Sequence, residues 1–171
     1  MDEEKKIDNR KELALKFFNS GNFKDARIIL ESLIEKNNKD YIAFNLLGLI
    51  QKNYHNLDKA LKLIRTAIKI KPNFVEAHIN LGVIFKEKGN IEEAIISYQK
   101  ALNIRKDIPE LYINIANALM DIDDIDGAID NFKEAIKINT NFAQAHGGLD
   151  KALLKKHRLK GRFTSFLVEK K

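Results

Sequence analysis

Apolar residues recur along this chain at three- and four-residue spacing, in short blocks separated by polar turns. That spacing predicts amphipathic helices rather than strands. In 75–108 one block carries Leu81, Ile84 and Phe85, and the next carries Ala94, Ile95, Tyr98, Ala101 and Leu102. The two-block pattern itself repeats. Ala94 has counterparts at Ala26, Ala60 and Ala128, spaced by 34 residues. Leu81 has counterparts at Leu13, Leu47 and Ile115, and the small residue after it recurs as Ala14, Gly48, Gly82 and Ala116. Several rows in one register, at a period in this range, predict a solenoid of stacked helical pairs.

Cutting at the period leaves an extension, 1–6, and four units, 7–40, 41–74, 75–108 and 109–142. Gly21 and Gly89 supply the left-handed residue that ends a helix, and Asn22 or Asn90 then caps the next. Asn22 with Asp25, and Asn90 with Glu93, resemble capping boxes. His55 and Asp123 occupy the glycine slot of the other two units, so those turns are expected to be strained or differently shaped. The alanine and glycine rows mark close helix crossings, where a large side chain would hold the backbones apart. Ala94→Leu is expected to overpack its crossing at about 1–3 kcal/mol.

A fifth unit begins at Ala143 and fails. Leu149 is in place, but Asp150 takes the small-residue slot and Arg162 falls where the second helix needs alanine. The expectation is a capping helix over 143–157, followed by a basic tail, 158–171, that carries Phe163, Phe166, Leu167 and Val168. Gly147 and Gly148 each weaken that helix by about 1 kcal/mol relative to alanine.

On these residues the units resemble tetratricopeptide repeats. The third unit matches through Leu81-Gly82, Phe85, Gly89, Ala94, Tyr98 and Ala101. The second matches through Phe44, Leu47-Gly48, Ala60, Ala67 and the boundary Pro72, and the fourth through Tyr112, Ile115-Ala116, Ala128, Phe132 and Ala135. The first departs most, with Arg10, Leu33 and Asn38 in slots the family fills otherwise, as expected of a terminal cap. The resemblance covers about 7–157 and implies an all-α, right-handed α-solenoid of helix-turn-helix repeats with a C-terminal capping helix. It also implies a non-enzymatic adaptor that binds a segment of a partner protein.

Composition narrows the remaining classes. A hydrophobic content of 44% supports a continuous core. With no cysteine there is neither a disulfide framework nor a thiolate site. The amino terminus, MDEEKK, is followed by no apolar stretch, and the longest apolar runs, such as 46–50, are far too short for a bilayer span. A cytoplasmic protein is expected. The net charge of +6 is uneven: residues 151–171 hold eight Lys or Arg and one acid, leaving 22 basic and 23 acidic residues in 1–150. The basicity belongs to the tail.

No catalytic constellation or cofactor motif appears. His78 and His146 fill one slot two repeats apart, too distant to share a metal ion, and are read as packing residues. The acidic run 121–127 lacks calcium-loop spacing, with Ile125, Asp126 and Phe132 where an oxygen ligand, a glycine and a glutamate are needed. Asp124 is better read as a helix cap.

By resemblance, the first helix of each repeat lines a concave face. The candidate peptide-binding residues there are Asn45 and Leu49; Ile79, Asn80 and Val83; and Ile113, Asn114 and Asn117. Lys11, Glu12, Leu15 and Leu46 share this face. Asn80 and Asn114 fall in one register, and a carboxamide can both donate to and accept from a peptide backbone. This is similar to the asparagine ladder in the repeat domain of O-linked N-acetylglucosamine transferases, with two rungs matching. The carboxylate clamp of co-chaperone repeats fits poorly, because Leu15 and Leu46 replace asparagines and Glu76 would repel the ligand.

The protein partner is therefore expected to be an extended peptide or helix with apolar side chains. Two alternatives stand beside this. Lys155, Lys156, Arg158, Lys160 and Arg162 form a candidate anionic-ligand tail that would tether the array to nucleic acid or an anionic membrane. The chain could also be the repeat region of a glycosyltransferase-like enzyme. No small-molecule substrate or cofactor is implied.

Overall fold

The computed structural model describes the backbone of residues 2–168 and the side chains of residues 9–160. Nine helices and no strand occur among the described residues. They are α1 (Asp2–Asn19), α2 (Phe23–Lys36), α3 (Tyr41–Asn53), α4 (Leu57–Ile70), α5 (Val75–Glu87), α6 (Ile91–Ile104), α7 (Pro109–Asp121), α8 (Ile125–Ile138) and α9 (Ala143–Val168). The chain divides into two bodies, 1–84 and 85–171. No described helix is long and apolar enough to cross a membrane.

In the N-terminal body, α1 packs on α2, α2 on α3, and α3 on α4, so neighbours in sequence are neighbours in space. Its core gathers Ala14, Ala26, Leu30, Leu33, Ala43, Leu46, Leu47 and Ile50, with Phe17, Phe18 and Phe23 packed against it. A β-carbon added at Gly48 would lie 2.6 Å from Ile64 Cδ1 and 3.3 Å from the Ala60 carbonyl oxygen. Any larger residue would push on the buried Ile64 side chain and crowd the Ala60 carbonyl at the α3–α4 crossing, which accounts for that member of the small-residue row. At the far end of the pair, Tyr41 and Phe74 meet edge to face at 4.9 Å. The Lys71 ammonium sits 4.4 Å from the Tyr41 ring centroid and donates to its hydroxyl at 2.9 Å.

In the C-terminal body, α6 packs on α7, α7 on α8, and α8 on α9, with α9 also reaching α7. Ile113, Ala116, Ile125, Ala128, Ile129, Phe132, Ala135, Ala145 and Ala152 form its core. The two glycines of α9 are not equivalent. A β-carbon at Gly147 meets nothing within 4 Å, whereas one at Gly148 would lie 2.2 Å from Phe132 Cε1. Gly148 lets the helix backbone close over the phenyl ring.

Three local expectations are resolved. His55 (φ 58°) and Asp123 (φ 61°) adopt the same left-handed conformation as Gly21 (φ 77°) and Gly89 (φ 80°), so these turns are strained and not reshaped. The Asn22 side chain accepts from the Asp25 amide, but Asn90 makes no side-chain capping bond. Finally, the last helix does not stop near His157; α9 continues to Val168.

Candidate functional site

The candidate face of the N-terminal body is built on α3 and the part of α5 up to Ile84. Asp40 starts α3, accepting from the Ala43 amide at 3.1 Å. It is 5% exposed, and the Lys11 ammonium lies 2.9 Å from its second oxygen. Lys11, the basic residue that a carboxylate clamp would draw on, is thereby committed to holding α1 against the start of α3.

One turn further along α3 lies Asn45, also 5% exposed. The Asn80 Nδ2 on α5 donates to Asn45 Oδ1 at 3.0 Å. Asn45 is therefore a support for Asn80 and presents little surface of its own. Leu49, four residues on from Asn45, and Val83, three on from Asn80, extend the two stripes that this hydrogen bond joins. Leu49, Ile79, Asn80 and Val83 are all half-buried, each retaining some surface for a ligand.

By the 34-residue register the counterpart of Asn80 is Leu46, and Asn45 stands one slot away. Side chains on neighbouring first helices meet here at a separation of 35 residues instead of 34. An offset search one residue beyond the period is the signal that would have found the pair.

In the C-terminal body, α7 supplies Ile113, Asn114 and Asn117. Ile113 is 6% exposed and belongs to the core cluster, so its side chain packs inward and does not line a ligand face. Asn114 is half-buried and Asn117 exposed, and their three-residue spacing places them on one side of α7. At the end of that helix, Lys86 lies 3.1 Å from Asp121.

The basic residues of α9 are arranged differently from a solvated tail. Lys155 Nζ lies 2.5 Å from Asp123 Oδ1 and 3.5 Å from the Met120 carbonyl oxygen, which places its charge at the C-terminal end of α7. Lys156 pairs with Asp126. The hydrogen bond and charge of Lys156, with a smaller contribution from Lys160, hold the Asp126 carboxyl below its ordinary range. Arg158 is exposed. Arg162, Phe163, Phe166, Leu167 and Val168 lie outside the residues with described side chains.

The acidic run 121–127, from the end of α7 to the first turn of α8, has divided duties. Asp124 caps α8, accepting from the Gly127 amide at 3.0 Å, while Asp123 and Asp126 face α9. No group of three or more His, Asp or Glu suited to a metal ion occurs among the described residues. His78 and His146 share one structural role: each Nε2 lies 2.7 Å from a carbonyl oxygen six residues back, Pro72 and Thr140 respectively. They tie the start of a first helix to the preceding loop.

Two family models match the chain, one described as TPR repeat over 83–123 and one as tetratricopeptide repeat over 109–142. Among curated proteins none matches the sequence. Solved structures do match by fold. A crystal structure of MamA superposes with a TM-score of 0.74 at 21% identity, covering 81% of each chain. The complex of Cut9 with Hcn1, an APC/C hetero-tetramer, gives a TM-score of 0.77 at 20% identity, covering 84% of this chain and 29% of the other. YrrB, a TPR protein with an unusual peptide-binding site, gives 0.73 at 14% identity, covering 86% and 76%. At these identities the likeness is one of fold. Helix pairs in chain order, small residues at their crossings and the two family models agree: over 83–142 this chain carries tetratricopeptide repeats.

Proposed function

We propose that this chain is a non-enzymatic scaffold that holds an extended or helical segment of a partner protein against its first helices. The tetratricopeptide-repeat fold supports the general scaffold role in protein–protein interaction. The observation that carries the finer reading is the composition of the α3–α5 face. Leu49, Ile79 and Val83 keep half-buried apolar surface around a carboxamide, Asn80, that Asn45 holds in one orientation. A peptide laid there would bury apolar side chains and find a backbone hydrogen-bond partner whose ordering cost was met on folding. Asn80 Oδ1 is the acceptor available to a peptide amide. Asn114 and Asn117 offer the same chemistry on α7.

Selection of displayed peptides against the intact chain tests this, repeated with Leu49→Glu/Val83→Glu and with Asn114→Ala. Peptides with apolar residues at regular spacing are expected from the intact chain. They should be lost with the glutamate variant, which changes half-exposed positions and should keep its helical circular dichroism. Recovery of the same peptides by the glutamate variant would overturn the α3–α5 face as the binding surface.

A further inference from the structure

The basic side of α9 is covered by the chain's own acidic turn, and the nature of that cover indicates what the surface binds. Lys156, Leu159 and Lys160 of α9 and Asp123, Asp124, Ile125 and Asp126 of the turn line a cleft of about 320 Å³. Its two ion pairs, Lys155–Asp123 and Lys156–Asp126, flank apolar Ile125 and Leu159. Both pairs are solvent-facing: Asp123 and Asp126 keep 78% and 75% of their side-chain surface, and each lysine keeps 39%. Pairs so exposed contribute little and are screened by salt, so the cover is displaceable.

Asp123 also stands in a left-handed position that glycine fills in two other repeats. An aspartate there carries backbone strain that glycine avoids. What it adds is a carboxylate directed at Lys155.

We propose that the Lys155–Lys156–Lys160 face of α9 is a docking site for an acidic segment of a partner protein, and that the 121–126 turn is an internal competitor occupying it. The cover is itself a peptide, with carboxylates three residues apart around an isoleucine, so the surface already accepts that chemistry. An acidic protein segment fits better than nucleic acid, because the cover seats an isoleucine, Ile125, beside Leu159 next to the two lysine–aspartate pairs, apolar chemistry that a phosphate backbone lacks. The site is separate from the α3–α5 face, and either can fail alone.

The test measures binding of fluorescent short polyglutamate to the full chain by anisotropy. Oligouridylate and vesicles of phosphatidylcholine with phosphatidylserine are measured in parallel. Asp123→Asn/Asp126→Asn removes the cover and should tighten polyglutamate binding by about two- to thirtyfold, the range for two exposed pairs. Asp107→Asn/Asp130→Asn makes the same change in net charge elsewhere and should tighten it much less. Adding Lys155→Gln/Lys156→Gln to the uncovered variant should abolish the gain. Equal tightening by the two aspartate pairs would overturn the internal competitor, reducing the effect to net charge. A gain for oligouridylate or vesicles as large as for polyglutamate would overturn the acidic-peptide assignment. Retained binding in the lysine variant would overturn the site.

Discussion

Asn80 donates its carboxamide N–H to Asn45 Oδ1 at 3.0 Å, a bond between two first helices at a point where Asn45 is almost wholly buried. Asn80 therefore serves the folding of this body. Asn80→Ala strands a buried acceptor and is expected to cost about 1–3 kcal/mol in urea unfolding. Asn45→Leu/Asn80→Leu, which removes both polar groups, should cost less than the sum of the single changes. A double-mutant cycle showing no coupling would remove the pair as a structural element.

The parts of this fold that were legible in sequence are those where geometry restricts chemistry. Ala26, Ala60, Ala94 and Ala128 are all 0% exposed, and a close crossing admits little else, so the row survives as identical letters. Leu30, Ile64, Tyr98 and Phe132 form an equally buried row at the same 34-residue interval, yet it reads poorly because any large apolar side chain fills that groove. The site was harder. Asn45 meets Asn80 one residue off the period, and Lys155 and Lys156 find partners 32 and 30 residues back, in a turn that the sequence gives no reason to associate with them. The resemblance puts Ile113 on the ligand face, and only packing shows that it turns to the core.

The glycines of α9 yield a sharper test, because helix propensity alone treats them alike. Gly147→Ala enters open space and should stabilise the protein by up to about 1 kcal/mol. Gly148→Ala drives a methyl group into the Phe132 ring, which is 1% exposed and cannot retreat, and should cost about 1–3 kcal/mol. Phe132→Leu introduced with Gly148→Ala should recover part of that loss. Urea midpoints that move together for the two glycine variants would show that propensity, not packing, governs this helix.

Tyr98 predicts a loss of stability in alkali. Burial, with a smaller push from Glu87, raises its phenol to about 12. In the unfolded chain the phenol ionises near its ordinary value, about 10. Because the folded value is the higher one, the contribution is complete below the unfolded value and declines as pH rises through it. It is gone once pH passes the folded value. The decline should be on the order of 3 kcal/mol over that window, since one unit corresponds to about 1.36 kcal/mol. Tyr98→Phe should flatten the alkaline limb of a stability-against-pH curve, and an unchanged limb would assign the decline to other groups.

His55 and Asp123 share a left-handed backbone, yet replacement by glycine should affect them differently. His55→Gly relieves the steric cost of a β-carbon at φ 58° and should stabilise by up to about 1 kcal/mol, after the added freedom of the unfolded chain is subtracted. Salt should leave that gain unchanged. Asp123→Gly relieves the same cost at φ 61° but also removes the carboxylate bonded to Lys155. Its gain should be smaller at low ionic strength and should grow as salt screens the pair in the parent protein. Acid should weaken the neighbouring pair through Asp126, whose carboxyl Lys156 holds below its ordinary range, in the parent and in Asp123→Gly alike but not in Asp126→Asn. A depressed carboxyl contributes above its unfolded value, and that contribution is lost as pH falls through the folded one. Stability of Asp123→Gly, Asp126→Asn and the parent, measured against salt and then against pH, separates the two causes. Identical salt-independent gains for His55→Gly and Asp123→Gly would show that the turn holds α9 by shape alone.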